Sequence, residues 1–204
     1  MVESLLSFSL ATIILALSPG PDNIYVLTQS LANGVKSGVA TTAGLISGCI
    51  VHTTLLAFGV SALLTASEGV FYGIKVFGAL YLIYLAFKVF RSDSAISFSE
   101  NAPKKSGWSL FKQGVIMNLL NPKVMIFFLA FFPVFLWNEQ EGTVSQFYIL
   151  GVVFMLVSFI VFSGLAILAG SISGILMKYK RIGVVLKWLQ IVVFLGIAIY
   201  ILIP

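Results

Sequence analysis

Charge is what this chain has least of. Only 9% of its 204 residues are charged and 59% are hydrophobic, whereas a soluble domain carries about a quarter of its residues as Asp, Glu, Lys or Arg. Too few polar groups exist to coat a water-facing surface, so the surrounding medium is lipid. There is one histidine and one cysteine, Cys49, which excludes an intramolecular disulfide. Neither HExxH nor CxxC occurs, so no metal or other cofactor is expected. An intramembrane enzyme would need a nucleophile–base pair or metal ligands within the membrane, and these are missing. The amino terminus, MVESLLSFSLATIILAL, has no basic leader segment or clear cleavage site and reads as a retained span. The net charge of +5 is no sign of nucleic-acid binding here, because in a membrane chain the placement of charge reports orientation.

What is abundant is long apolar runs. They fall at residues 4–32, 38–65, 70–90, 110–137, 145–170 and 182–203, and about 20 helical residues suffice to cross the hydrocarbon core. The sizeable polar stretch RSDSAISFSENAPKKSG, residues 91–107, divides three spans from three. The expected organisation is one transmembrane unit over 1–204. It has a first half at 1–90, a linker at 91–109 and a second half at 110–204. Lys36, Lys88, Arg91, Lys104, Lys105, Lys112, Lys178, Lys180, Arg181 and Lys187 fall on one side. Glu3, Glu68, Glu139 and Glu141 fall on the other, with Lys75 the lone base there. The basic side is expected to be cytoplasmic and both termini outside.

Three spans per half place the halves in opposite orientation, which permits an inverted repeat. The expected fold class is an all-α integral membrane protein of six helices, built as two inverted three-helix repeats. Each repeat begins with an interrupted span: Ser18-Pro19-Gly20-Pro21-Asp22 in one, Asn121-Pro122-Lys123 in the other. Proline removes a backbone donor and opens the helix. Ser18 is expected to offer its hydroxyl to the released backbone, and Pro21 to begin a new half-helix with Asp22 in its first turn. Asn121 is expected as an N-cap and Pro122 as a first helical residue. Two half-helix N-termini would then point to the centre, an arrangement suited to a carboxylate. Asp22 and Lys123 each cost about 2.5–3.5 kcal/mol at mid-membrane unless paired or hydrated. They read as an ion pair, either structural or opening to receive a zwitterion. A kink made only for packing is the plainer alternative.

The stretches SPGPDNIYVLTQSLANGVKSGVATTAGLISG and GVIMNLLNPKVMIFFLAFFPVF resemble the LysE-type amino-acid exporter family, in particular its RhtB (homoserine/threonine efflux) branch. Pro19, Gly20, Pro21, Asn118, Asn121, Pro122 and Lys123 match its characteristic positions. The resemblance implies a bacterial cytoplasmic (inner) membrane exporter of amino acids or related metabolites, driven by the proton gradient. The candidate substrate and coupling residues are Ser18, Pro19, Gly20, Pro21, Asp22, Asn23, Tyr25, His52, Asn118, Asn121, Pro122 and Lys123. Tyr25 is the aromatic expected nearest the substrate. His52 is either a proton relay or a packed, hydrogen-bonded residue. Gly44/Gly48 and Gly170/Gly174 form GxxxG pairs that allow close helix approach, within one chain or across a homodimer. Phe127, Phe128, Phe131 and Phe132 are expected in the core or facing lipid, some lining an apolar pocket. A passive channel would spread polar rings along several spans, whereas polarity here gathers at two breaks. A purely structural membrane protein is the other alternative, and in it the costly central charges would lack a purpose.

Overall fold

The computed structural model describes residues 1–18, 20–66, 68–92, 102–138, 141–169, 171 and 180–202. Among them every regular element is helical: α1 (Val2–Leu17), α2 (Pro21–Asn33), α3 (Val35–Ala66), α4 (Glu68–Arg91), α5 (Gly107–Leu119), α6 (Pro122–Phe131), a 3₁₀ turn (Phe132–Phe135), α7 (Thr143–Ile167) and α8 (Lys180–Leu202). Helices fall in each of the six apolar segments. Three are long and apolar enough to cross a membrane: Val35–Ala62, Tyr72–Arg91 and Thr143–Ile167. Two further candidates are bent pairs, α1 with α2 at 61° and α5 with the helical run Val124–Phe135 at 55°. Within α8, Lys187–Leu202 is a shorter apolar helix.

The bends sit where the chain lacks amide hydrogens. α1 stops at Ser18, whose backbone is extended, and α2 restarts with Gly20 as N-cap and Pro21 at its first position. α5 starts on Ser106, whose Oγ accepts from the Ser109 amide at 3.2 Å. It ends at Leu119, one turn short of Pro122. Between α2 and α3 the chain turns on Gly34 at φ 86°, a conformation glycine adopts without a Cβ clash.

α3 is the axle of the bundle, packing on α2, α5, α6 and α7, while α4 packs on α8 and α6, and α1 on α7. The α3–α5 contact is backbone-close. A Cβ at Gly44 would collide with the Phe111 carbonyl, and one at Gly114 with the Thr41 carbonyl. A Cβ at Gly48 would run into the Asn118 side chain. The Gly44/Gly48 pair therefore serves packing within the chain; Gly170 and Gly174 lie outside the described residues.

The main core is aromatic. Phe8 packs against Phe132 at 5.0 Å and Phe135 at 5.2 Å, while Phe128 stacks on Phe132 at 4.2 Å and Phe127 on Phe131 at 4.4 Å. Phe127, Phe128, Phe131 and Phe132 are all buried. The outer faces are apolar too, with Leu55, Leu80, Ile160 and Ile199 at least 60% exposed. Such a surface is stable in hydrocarbon and not in water. One end of the bundle is tied by polar bonds: Lys187 Nζ donates to the Ser92 carbonyl at 2.6 Å, and Asn33 Nδ2 to the Ala102 carbonyl at 3.5 Å.

Candidate functional site

Both breaks open onto one cavity. Its lining includes Ser18, Gly20, Pro21, Asp22 and Asn23 from the first, and Asn118, Asn121, Val124 and Phe127 from the second. Leu45, Ile46 and Cys49 of α3 and Phe154, Ser158 and Phe162 of α7 close the walls. Neither α4 nor α8 contributes a described residue. The space open to the centres of water molecules is about 70 Å³. One water needs roughly 10–15 Å³ by that measure, so the cavity suits a handful of waters or a molecule of a few heavy atoms.

The first break is closed from within its own span. Gly20 has left the helix, so the Ala16 carbonyl lacks its usual amide partner. Asn23 Nδ2 supplies it, donating to the Ala16 carbonyl at 2.8 Å and the Ser18 carbonyl at 3.3 Å. This corrects the expectation for Ser18: its Oγ is buried and makes no hydrogen bond among the described residues. A primary amide projecting back from the restarted helix reaches two carbonyls, which one hydroxyl proton cannot do.

The second break is closed from a neighbouring helix. Pro122 has no N–H for the Asn118 carbonyl four residues earlier. That oxygen accepts instead from the Asn121 amide at 3.1 Å and pairs with His52 Nε2 at 3.3 Å. A carbonyl only accepts, so His52 carries a proton on Nε2 in this contact. His52 is buried against Phe128 and does not line the cavity. Of its two expected roles, the geometry is that of the packed, hydrogen-bonded one. The Asn118 side chain lies against Cys49, donating from Nδ2 to Sγ at 3.6 Å.

A side-chain hydrogen bond joins the two breaks. Asn121 Nδ2 donates to Asp22 Oδ2 at 3.2 Å across 99 residues of chain. The Asn121 carbonyl meanwhile accepts from Met125 N–H at 3.2 Å, opening α6 as expected of a residue before Pro122. Asp22 is half-buried in the first turn of α2, where the helix dipole favours its negative charge. A carboxylate fixed this way can take an ammonium or a proton.

The other expected residues fall as follows. Tyr25 is outside the lining, because only the first turn of α2 reaches the cavity before the helix leads away. The aromatic walls are Phe127, Phe154 and Phe162 instead. Pro122 is exposed and also off the lining. Pro19 and the Lys123 side chain lie outside the described residues, so the Asp22–Lys123 pair does too. The sequence reading missed Phe154, Ser158 and Phe162, although their spacing of four marks one stripe on a helix.

The profile described as LysE type translocator matches residues 13–204. The chain belongs to the LysE type translocator family. Curated relatives agree. A homoserine/homoserine lactone efflux protein of Salmonella typhimurium is 36% identical over 167 residues, covering 82% of this chain and 81% of the relative. Its counterpart in Salmonella typhi matches to the same extent. An uncharacterized membrane protein of Vibrio cholerae is 28% identical over the same shares. No solved structure matches the chain. This LysE type translocator is thus a multi-pass membrane transporter and not an enzyme.

Proposed function

We propose that this translocator is a secondary active exporter of small amino acids or related zwitterions across the bacterial cytoplasmic membrane, working by proton antiport. In this reading six spans form two inverted three-helix repeats with both termini outside, and the cavity between the breaks is the substrate site. The observation that carries it is a half-buried carboxylate, Asp22, at a helix N-terminus inside a small cavity and tied to the opposite break through Asn121. Efflux of homoserine and its lactone by relatives with 36% identity supports a substrate of this size. The substrate ammonium pairs with Asp22, and the N-terminal ends of α2 and α6 face its carboxylate. Lys123 is the counter-charge in the empty state. Proton uptake by Asp22 releases the ammonium, which is the physical means of exchanging a proton for the substrate.

Inside-out vesicles with an imposed pH gradient test this directly. Labelled homoserine or threonine should accumulate in wild-type vesicles, and Asp22→Asn should lower gradient-driven uptake about tenfold or more, the loss of one charged contact. Protein level and heat stability should stay near wild type. Full gradient-driven uptake by a well-folded Asp22→Asn variant would reduce the aspartate to a helix cap and end the proposal. Orientation is checked separately: in a Cys49→Ala background, Lys104→Cys should resist impermeant thiol reagents applied to intact cells.

A further inference from the structure

Hydroxyls buried in apolar surroundings are costly unless hydrogen-bonded. Some helical hydroxyls here solve this by bonding the carbonyl one turn back: Ser9 to Leu5 at 2.7 Å, Thr12 to Phe8 at 2.8 Å, Thr41 to Ser37 at 2.9 Å and Ser47 to Ala43 at 2.7 Å. Ser158 does not. It is 2% exposed, sits mid-helix between Phe154 and Phe162, and its Oγ has no partner among the described residues. Ser18 is also 2% exposed with an unpartnered Oγ. Other buried hydroxyls lack partners, among them Ser30, Thr42 and Thr53, but these lie off the cavity, whereas Ser18 and Ser158 both line it.

We propose that Ser158, together with Ser18, forms a neutral hydroxyl subsite that reads an oxygen on the substrate's side chain. This rests on the exporter reading above and adds to it the residues that would tell a side-chain oxygen, such as the one homoserine carries, from a methyl group. A serine hydroxyl both donates and accepts, so it matches either kind of oxygen. It offers no charge, so it does not neutralise a cationic or anionic side chain. The cavity then has two ends with separate tasks. Asp22 and Asn121 hold the amino-acid head, and the serine between the two phenylalanines selects the tail. An isostere with a methyl group in place of the oxygen fills the same volume but leaves the serine hydroxyl unbonded, and that difference is what the site discriminates.

The test compares isosteric pairs: homoserine with norvaline, and threonine with valine. In inside-out vesicles the wild type should take up the oxygenated member of each pair about tenfold better, the value of one buried hydrogen bond. Ser158→Ala, which keeps helix propensity and nearly the same volume, should bring the ratio to within about twofold; Ser18→Ala should lower it less. Heat protection of detergent-solubilised protein by the same four amino acids reads binding without a gradient, so a variant with damaged transport still reports its preference. Uptake of all four at equal rates by wild type overturns the subsite and leaves the exporter reading standing. An unchanged ratio in the Ser158→Ala, Ser18→Ala double variant does the same. Neither uptake nor heat protection with any of the four overturns both.

Discussion

Each bent span frees backbone carbonyls, and the partners that satisfy them come from different places. At the first break the Asn23 amide, five and seven residues further along the same chain, holds the Ser18 and Ala16 carbonyls. At the second the Asn118 carbonyl takes the nearby Asn121 amide and, in addition, His52, which belongs to α3 and lies 66 residues away. The helices follow the same division. α5, upstream of the second break, is locked to α3 by the interleaved Gly44 and Gly114, while α1, upstream of the first, packs on α7. A break that carries its own hydrogen bonds can move without losing them. A break held by another helix moves only with that helix. For an exporter in which one element rocks against another around a fixed site, this asymmetry makes the first span the expected moving part and α3 with α5 the expected frame.

The largest effect should come from attacking the frame. Gly44→Val forces a branched side chain against the Phe111 carbonyl and should cost about 3 kcal/mol, the upper end of ordinary overpacking. A sharp fall in folded yield and melting temperature in detergent would register it, and near-normal stability would mean that α3 and α5 are not rigidly joined. Next is Asn23→Leu, which leaves the Ala16 and Ser18 carbonyls without their side-chain donor. A loss of about 2 kcal/mol is expected, with transport per folded molecule reduced because the break no longer keeps its shape. The smallest effect should be His52→Phe, about 1 kcal/mol, since the Asn118 carbonyl retains the Asn121 amide and the new ring keeps the contact with Phe128. Transport should persist in this variant at much the same pH dependence. If His52→Phe proved more damaging than Asn23→Leu, or abolished proton-driven uptake, the ranking of the two breaks would be reversed and the relay role restored to His52.

Much of this was readable in advance, for reasons that also mark the limit. Apolar runs of membrane length and prolines inside them are local signals, so every apolar segment holds a helix and both bends fall beside their prolines. The two breaks could be placed near one another because half-helix N-termini of oppositely directed spans point to the centre. The partner expected for Asp22 was Lys123, whose side chain lies outside the described residues, and the bond to Asn121 was not foreseen. The walls of the cavity could not be read. In a soluble helix the buried face is the apolar one, but Leu156 and Ile160, facing outward on α7, are as greasy as the inward Phe154 and Phe162. Hydrophobic periodicity then has no contrast to report, and a single serine in such a helix gives no direction. The error over Ser18 has a similar origin. Sequence indicates that carbonyls are released at a proline, but which of several nearby polar groups reaches them depends on the angle at which the helix restarts.

Cys49 is the chain's sole cysteine, only 1% exposed, and forms part of the cavity wall beside Asn118. In the proposed exporter the chain's one thiol thus lies on the wall of the substrate cavity. A thiol reagent that modifies the native protein has entered through an open conformation, and the side from which it was supplied names the direction of that opening. The rate of modification, measured with and without substrate or a pH gradient, counts how often this buried thiol becomes accessible from either face of the bilayer.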